Sequence, residues 1–479
     1  MTVEAIWFRG DLRRQDNPAV AKAVKAQMTN TERSVPAISV PAIFFATPET
    51  WQAHAWAPLK IDLLWRHLAD FQADCAEHGI ALSVVVVDSY ADIPAALADW
   101  CAAQQVSTLH FNYEYPLDEA KRDKACLAAL EQAQVATKAY HGLLLAPPQR
   151  IQTQQGGYYK MFTPFNRAWR QYLQQNYRWQ PHQLTWPPAC ESPALPDCPL
   201  PRRDSSEWPV GEAAVLQRLR DYIDSNVAHY ADERDLPALD STSRLSPYWE
   251  LGVLSPYTAA RLLSEQSPDF PHGLNKGADI WLTELAWREF YQHLMFHEPR
   301  LCTGQAFQRY TDKFPWRDSE ADFKRWCEGQ TGYPIVDAGM RQLKAEGFMH
   351  NRLRMIVANF LVKDLRIDWR KGETFFMQNL IDGSFPANNG GWQWSASTGT
   401  DAVPYFRVFN PTRQSEKVDP EGEYIRTWVN ELKGVPTKHI HAPHKWLAEH
   451  DSASQYPAPI VDHGEARQDF LDTFKGLTQ

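Results

Sequence analysis

Glycine is scarce in the first third of this chain of 479 residues, where Gly10 and Gly79 are the only two before residue 140. The Gly-x-Gly-x-x-Gly pattern, which lets a backbone approach a dinucleotide phosphate, is therefore missing from that part of the chain. Cysteine is scarce as well, and the seven cysteines, from Cys75 to Cys327, form no Cys-x-x-Cys pair. This excludes a disulfide framework and a zinc site built on paired cysteines, and it predicts free thiols and no metal.

Long hydrophobic runs are missing too. No stretch approaches the roughly 20 apolar residues of a membrane span, and the N-terminus lacks the pattern of a secretion signal, so we expect a cytoplasmic protein with no membrane partner. The net charge of −9 argues against general affinity for nucleic acid. Between Arg341 and Lys371, however, eight basic residues stand against three acidic ones. This local excess favours contact with phosphates, or it forms a solvated helix surface.

Tryptophan is in excess, with 19 residues. Most of them are expected to pack in the core, but the number also suggests stacking on a ligand or electron transfer, because indole is readily oxidised. Trp392 and Trp394 follow two glycines and lie two positions apart. We expect one of them to point inward and the other outward.

Short apolar runs alternate with helical patterns in the N-terminal part of the chain. The runs lie near residues 5–8, 41–45, 82–87 and 108–111, and the helical patterns near 17–26, 57–78, 93–104 and 117–133. This alternation predicts an α/β domain with a doubly wound parallel sheet, similar to a Rossmann fold, over residues 1–135.

Proline marks the middle of the chain. Eight prolines lie between Arg178 and Val210, where the apolar periodicity stops. They predict a surface linker, which we assign to residues 136–210. From about Glu212 onward apolar residues recur every three or four positions, which predicts an all-α domain over residues 211–479.

Several segments carry side chains suited to a flat ligand. On a helix, the spacing of Glu284, Trp287 and Arg288 places an acid, an aromatic plate and a cation on neighbouring turns, and Asn351 and Met355 lie one turn apart. Three further segments cover residues 7–17, 242–246 and 382–406. These ordered motifs, which extend to about residue 460, resemble the photolyase/cryptochrome family. Within it they are most similar to the bacterial class I photolyases of cyclobutane pyrimidine dimers.

The resemblance implies that the helical domain binds FAD, with the reduced anionic form active. The matching positions are Tyr230, Thr242, Ser243, Arg244, Leu245, Ser246, Trp281, Asn351, Arg354, Asp382, Gly383, Ser384 and Asn388. Thr242–Ser246 offers hydroxyl and N–H groups to a pyrophosphate, although alone it is also typical of a helix cap. Arg354 and Asp382 are expected to pair beside the ring. Ser384 replaces a second aspartate of the family pattern, which weakens one ribose or phosphate contact.

The resemblance also implies catalytic residues. Asn388 matches the position that faces flavin N5, where similar photolyases have Asn, plant-type cryptochromes Asp and animal-type cryptochromes often Cys. A neutral amide there favours the fully reduced ring, although Asn-Asn-Gly alone is also typical of a turn. Trp392, Trp369 and Trp316 match the family's tryptophan relay from the flavin to the surface.

The implied substrate is a pyrimidine dimer flipped out of UV-damaged DNA. Trp287 and Trp394 match the aromatic rings that stack on its two bases. Glu284 matches the carboxyl group that forms a hydrogen bond with its N3–H or with a carbonyl. Asn351 and Met355 match positions that make further contacts with it. Candidate phosphate contacts are Arg234, Arg288, Arg352, Arg407 and Lys160; for each, a surface salt bridge is the alternative. Met355 near His350 favours the cyclobutane dimer over the (6-4) photoproduct, whose enzymes typically have a histidine pair.

An antenna chromophore is implied as well. His54, Asp118, Glu119 and Cys302 match positions associated with a folate in similar photolyases, which predicts 5,10-methenyltetrahydrofolate. Asp118 and Thr303 depart from the Asn and Lys of those relatives. An 8-hydroxy-5-deazaflavin or an empty cleft are therefore the alternatives.

A cryptochrome, which is a blue-light receptor without repair activity, is the main alternative function. Asn388 and the Glu284 to Trp394 pocket argue against it, as does the lack of a long C-terminal tail. A light-independent flavoprotein or nucleotide-binding module would account for the α/β half only. We expect a monomer with no obligate protein partner.

Overall fold

Five short strands form one parallel sheet in the order β3-β2-β1-β4-β5. The computed structural model describes residues 2–31, 39–179, 184–451 and 453–478. The strands are β1 Val3–Phe8, β2 Val40–Ala46, β3 Ile80–Val86, β4 Val106–Asn112 and β5 Ala136–Tyr140. The strand order reverses between β1 and β4, the point at which a doubly wound sheet opens a crevice at the carboxyl ends of its strands.

The inner strands are apolar because helices cover both faces of the sheet. Every residue of β2 is buried, and its register pairs Ala42 with Ile6 of β1 and Leu82 of β3. Such continuous apolar runs are typical of parallel strands buried on both faces. The sequence pattern predicted β1 to β4 but not β5, whose Ala-Thr-Lys-Ala-Tyr is partly exposed at the sheet edge and lies in the segment assigned to the linker.

Twenty-one α-helices are found among the described residues. They are α1 Pro18–Thr31, α2 Pro48–Ala53, α3 Pro58–Glu77, α4 Ile93–Ala103, α5 Leu117–Gln132, α6 Phe162–Asn176, α7 Glu212–Ser225, α8 Tyr230–Glu233, α9 Ser246–Glu250, α10 Pro256–Ser264, α11 Lys276–His297, α12 Glu320–Cys327, α13 Pro334–Glu346, α14 Asn351–Asn359, α15 Trp369–Asn379, α16 Phe385–Ser395, α17 Pro411–Val418, α18 Glu423–Trp428, α19 Thr437–Ile440, α20 His444–His450 and α21 His463–Thr478. Short 3-10 helices cover Pro148–Arg150, Val227–His229, Pro299–Thr303, Arg309–Lys313 and Asn430–Leu432, and a π-helical turn covers Phe360–Asp364. The predicted fold class, a parallel α/β sheet followed by an all-α region, is confirmed.

The chain divides into two compact units. Unit 1 contains Met1–Ala228 and Ser243–Pro299, and unit 2 contains His229–Thr242 and Arg300–Gln479. Unit 1 thus contains the sheet and also α7 and α9 to α11, which belong to the predicted all-α domain. The proposed boundaries at residues 135 and 210 remain predictions.

The proline-rich segment of unit 1 lies along α3. The indole N–H of Trp65 donates to the carbonyl of Pro196, and Gln72 donates to the carbonyl of Pro193. Residues 184–201 form no helix or strand, in keeping with a segment that cannot repeat backbone bonds at its prolines. Residues 180–183, which belong to the predicted linker, lie outside the described residues.

The ends of the site-bearing helices are fixed by side-chain caps. Asn275 accepts from the N–H of Ala278 at the start of α11, and Asp368 accepts from the N–H of Arg370 at the start of α15. None of the helices in the described ranges is apolar over a length that could cross a bilayer.

Candidate functional site

A buried ion pair joins α14 to the segment before α16 in unit 2. Nη2 of Arg354 lies 3.0 and 2.8 Å from the two carboxylate oxygens of Asp382, and its Nε donates to the carbonyl of Met349. Asp382 is buried, whereas Arg354 is partly exposed. The predicted pairing is confirmed, and it holds one guanidinium and one carboxylate in a fixed orientation.

Asn388 is held by the helix that packs against its own. Its Nδ2 donates to the carbonyl of Glu373 on α15 at 2.9 Å, and its backbone N–H donates to Ser384 at the start of α16. This bond uses one N–H of the amide, so the amide oxygen and the second N–H remain for a ligand. That oxygen accepts a hydrogen bond and cannot donate a proton.

A chain of amides and a carboxyl group extends from this point. Asn389 Nδ2 donates to Oε1 of Glu373, Gln393 Nε2 donates to Oδ1 of Asn389, and Phe307 N–H donates to Oε1 of Gln393. Burial raises the pKa of Glu373 to about 7, although the hydrogen bond from Asn389 acts in the opposite direction. The sequence reasoning missed Glu373; an acid at a buried position of an amphipathic helix was the available signal.

The two tryptophans of α16 point in different directions, as predicted. Trp392 is 2 % exposed and packs against Trp326 and Phe376, whereas Trp394 is partly exposed. Positions two apart on a helix lie about 200° apart around its axis, which explains the difference. α16 is a regular helix despite Gly390 and Gly391.

The three predicted relay tryptophans lie in unit 2, two of them buried and one partly exposed. Trp392 and Trp369 are buried, and Trp316 is partly exposed between the clusters around Trp326 and Phe470. The indole N–H groups of all three have no hydrogen-bond partner in the described part of the chain. Trp326, by contrast, donates its N–H to the carbonyl of Val357.

On α11 of unit 1, Glu284, Trp287 and Arg288 fall on neighbouring turns as predicted. Glu284 and Trp287 are partly exposed, and Trp281 is buried beside Tyr222. Phe162, the first residue of α6, stacks on Trp287 with ring centroids 3.5 Å apart and an interplanar angle of 5°. The sequence reasoning missed Phe162.

The orientation of α11 is fixed by buried contacts with the loop after β5. Arg288 donates to the carbonyl of Leu143 at 2.9 Å, and the Glu289 carboxylate accepts from the N–H groups of Leu145 and Ala146 at 2.6 and 3.0 Å. One guanidinium nitrogen of Arg288 is therefore hydrogen-bonded within the protein. Glu289 is a structural residue that the sequence motif did not reveal.

The remaining candidate arginines differ in their availability. In unit 2, Arg352 forms a bidentate pair with Asp235 at 2.6 and 3.0 Å, and Arg234 lies over the ring of Tyr230. Arg407 is exposed next to Phe406, which is 63 % exposed, and buried Lys363 donates a hydrogen bond to the Arg407 carbonyl.

In unit 1, Arg244 lies over Trp208, and Arg218 donates to the carbonyl of Ser243 in the predicted phosphate segment. The positive φ of Arg244 turns this segment into α9, which begins at Ser246.

Asn351 and Met355 occupy one face of α14 in unit 2. Asn351 is exposed and Met355 is partly exposed. His350 caps the helix by accepting from the N–H of Arg352, and because burial lowers the pKa of His350 to about 4, the ring is neutral and able to accept. Both predicted contact residues therefore face outward from a firmly capped helix.

Three of the four predicted antenna residues meet in unit 1. His54 lies 3.4 Å from Asp118, and Glu119 accepts from the hydroxyl of Tyr90. Burial raises the pKa of Glu119, and the nearby carboxylate of Glu114 adds to the effect. Asp118 is exposed and also lies near Lys121. Cys302 belongs to unit 2.

The crevice where the strand order reverses is filled by charged side chains. Arg9, just after β1, pairs with Asp123 at 2.7 Å, and Arg122 pairs with Asp123 and Glu114 at 2.7 and 2.6 Å. Asn112, at the end of β4, donates to Asp11. All of these residues are buried or partly buried, so the chain's own ion pairs occupy the position where such folds hold ligands.

The chain is similar to known proteins along nearly its whole length. The family model described as DNA photolyase matches residues 4–188, and the one described as FAD binding domain of DNA photolyase matches residues 281–476. The deoxyribodipyrimidine photo-lyase of Escherichia coli (strain K12) is 43% identical, with 99% of each chain covered.

Two solved structures share the fold over nearly the whole chain. A bacterial class III photolyase from Agrobacterium tumefaciens is 35% identical with a TM-score of 0.82, and covers 100% of this chain and 98% of its own. The cryptochrome of Synechocystis sp. PCC6803 is 25% identical with a TM-score of 0.80, and covers 98% of this chain and 99% of its own.

The first prediction concerns the contact between α15 and α16. A Cβ atom on Gly372 would lie 2.7 Å or less from three carbons of the Trp392 ring. Gly372→Ala should lower the free energy of unfolding by about 1–3 kcal/mol, because overpacking outweighs the gain in helix propensity. Gly476→Ala in α21, where a Cβ would meet open space, is the control in chemical denaturation. Equal stability of both variants would contradict the contact.

The second prediction concerns Glu373. Its folded pKa of about 7 lies above the ordinary value of 4.5, so its contribution to stability is complete below pH 4.5 and is lost as the pH rises through 7. Relative to Glu373→Gln, the native protein should lose about 2 kcal/mol of unfolding free energy between pH 5 and pH 8. Denaturation of both proteins across this range is the measurement, with exposed Glu131→Gln as control. Parallel pH curves would show that Glu373 is ionised throughout.

Proposed function

This chain belongs to the DNA photolyase family, and on that premise we propose that it repairs cyclobutane pyrimidine dimers in UV-damaged DNA in a light-dependent reaction. The observation that carries the proposal beyond the family is on α11. There a carboxyl group, Glu284, and an indole plate, Trp287, remain partly exposed one turn apart on a helix whose next turn is locked by Glu289.

The residues of unit 2 fit the isoalloxazine ring of FAD. Arg354 and Asp382 would frame its polar edge, and the positive guanidinium would favour a reduced, anionic ring. Asn388 can offer its amide oxygen, which suits the N5–H group of a reduced flavin. Bound reduced FAD supplies, on excitation by light, the electron that splits the dimer. We assign the other FAD contacts to the matching residues Tyr230, Thr242, Ser243, Arg244, Leu245, Ser246, Trp281, Asn351, Gly383 and Ser384.

The residues of α11 bind and polarise the dimer. Trp287 offers an apolar face to a non-planar lesion that stacks poorly in DNA. Glu284 accepts from a pyrimidine N3–H and, when protonated, donates to a carbonyl oxygen on which negative charge develops. Trp394, Asn351 and Met355 are also proposed as dimer contacts; Asn351 is exposed, and Trp394 and Met355 are partly exposed.

Arg407 is the strongest candidate for a phosphate contact. It is exposed, and its loop is anchored by the donation of Lys363 to its carbonyl and of the Phe409 N–H to Asn359. Lys160 is also exposed, whereas Arg352 and Arg288 already hold Asp235 and Leu143. Arg352, Arg288 and Arg234 would have to share their nitrogens with DNA.

Trp392, Trp369 and Trp316 are proposed as the relay that reduces the flavin. Trp392 and Trp369 are buried and Trp316 is partly exposed, which suits transfer between the interior and the surface. The N–H groups of all three indoles have no hydrogen-bond acceptor among the described residues, so the three rings share the same hydrogen-bonding state.

A folate, 5,10-methenyltetrahydrofolate, is the proposed antenna. His54, Asp118 and Glu119 offer a shallow polar surface. The ion pairs of Arg9 and Arg122 fill the deep crevice, which disfavours a deazaflavin there. The carboxylate of Asp118 weakens the contact that an amide would make, so partial occupancy or an empty cleft is the alternative.

A blue-light receptor is the second candidate, because the Synechocystis cryptochrome shares the fold. The partly exposed Glu284 and Trp287 favour repair instead, since a receptor has no dimer to bind. A cytoplasmic, monomeric state is part of the proposal.

The third prediction tests repair. Reduced protein mixed with dimer-containing DNA should restore thymines under blue light and not in the dark. Glu284→Ala should lower the repair yield about tenfold or more while FAD remains bound, because a group that stabilises developing charge is lost. The readouts are restored thymine and flavin absorbance of the same sample.

Glu131→Ala, an exposed glutamate on α5, is the matched control and should repair like the native protein. Equal loss of FAD and of repair in Glu284→Ala would contradict the assigned role. If the native protein restores no thymine in the light, the receptor is favoured.

The fourth prediction concerns the antenna. The purified protein should show a strong near-ultraviolet band in addition to the flavin bands. Glu119→Ala should remove this band and leave the flavin absorbance unchanged. Asp118→Asn should strengthen the band, because an amide would replace a carboxylate that weakens the contact with the folate. A deazaflavin spectrum, or a band that neither change affects, would refute the folate assignment.

A further inference from the structure

Phe162 covers one face of Trp287 in unit 1. The rings lie 3.5 Å apart at 5°, and Phe290 meets both of them edge-on, at 5.8 Å and 78° to Phe162 and at 5.7 Å and 82° to Trp287. Phe162 is 7 % exposed, whereas Trp287 is partly exposed. The indole is therefore held between a stacked ring and an edge.

We infer that Phe162 is a positioning residue for dimer recognition, which acts by fixing the plane of Trp287. The inference rests on the proposed function. With Phe162 on one face, a pyrimidine ring can stack only on the opposite face of the indole. A plate whose rotation is blocked before binding loses less conformational freedom when the lesion arrives, which strengthens binding without a new contact.

The rest of the segment supports this role. Phe162 begins α6 and follows directly on Lys160, which is exposed, and Met161, which is 51 % exposed. The same short segment thus places a cation at the surface and an aromatic ring behind the plate. α6 is fixed on α11 by Arg170, which donates to Asp279 at 2.7 Å and to Thr283 at 3.0 Å.

Phe165 provides a matched control. It lies one turn after Phe162 on α6 and is 1 % exposed, but it packs on Phe290 and His293 rather than on Trp287. Truncation of either phenylalanine removes a buried ring from the same helix interface. Only the truncation of Phe162 removes the stack on the plate.

The experiment is a double-mutant cycle on full-length, FAD-loaded protein in the dark. The dissociation constants are measured by fluorescence anisotropy for an oligonucleotide with one thymine dimer and for the undamaged oligonucleotide. Phe162→Ala and Phe162→Leu should weaken dimer binding roughly two- to tenfold, the range of one aromatic pair, and should affect undamaged DNA less than about twofold. Phe165→Leu should change neither affinity.

In a Trp287→Ala background the change at Phe162 should have no further effect on dimer binding, because the plate it orients is gone. Equal factors in both backgrounds, or no effect of either Phe162 variant, would overturn the inference and leave the proposed function standing. If Trp287→Ala itself does not weaken dimer binding, the plate assignment and this inference both fail. Should Phe162→Ala not fold, Phe162→Leu, which retains apolar volume, carries the same cycle.

Discussion

The close approach of α15 and α16 at Gly372 and Trp392 is the constraint on which the candidate site depends. Because residue 372 has no Cβ, the Trp392 ring lies directly against the backbone of α15. The same two helices carry Glu373 and Asn388, whose hydrogen bond has a length of 2.9 Å. The position of the amide oxygen therefore follows from a packing contact between a glycine and an indole, and not from a binding motif.

Buried polar groups play a second, similar part. In unit 1 Glu289 binds the N–H groups of Leu145 and Ala146, and in unit 2 Arg354 binds Asp382. Each satisfies groups that would be costly to bury alone, and each fixes an element that bears candidate residues. The helices that bear Glu284 and Asn351 are thus each fixed by a charged side chain that is bonded within the protein.

The sequence predicted most of this arrangement, and the failures have physical causes. β1 to β4 were predictable because each contains an apolar run, whereas β5 at the sheet edge is short and half polar. The pair of Arg354 and Asp382 and the opposite directions of Trp392 and Trp394 followed from motif and spacing. Phe162 could not be found in this way, because 125 positions separate it from Trp287. Glu373 lies only 15 positions from Asn388 and was missed because no motif marks it. The roles of the site residues remain proposals.

The unpaired indole N–H groups of Trp392 and Trp369 have a consequence for the chemistry of oxidised tryptophan. An indole that has lost an electron becomes acidic and releases its N–H proton where a base is within reach. In the described part of the chain no acceptor lies at either nitrogen. In the proposed relay, a positive hole on these rings would therefore keep its proton and remain free to migrate between them.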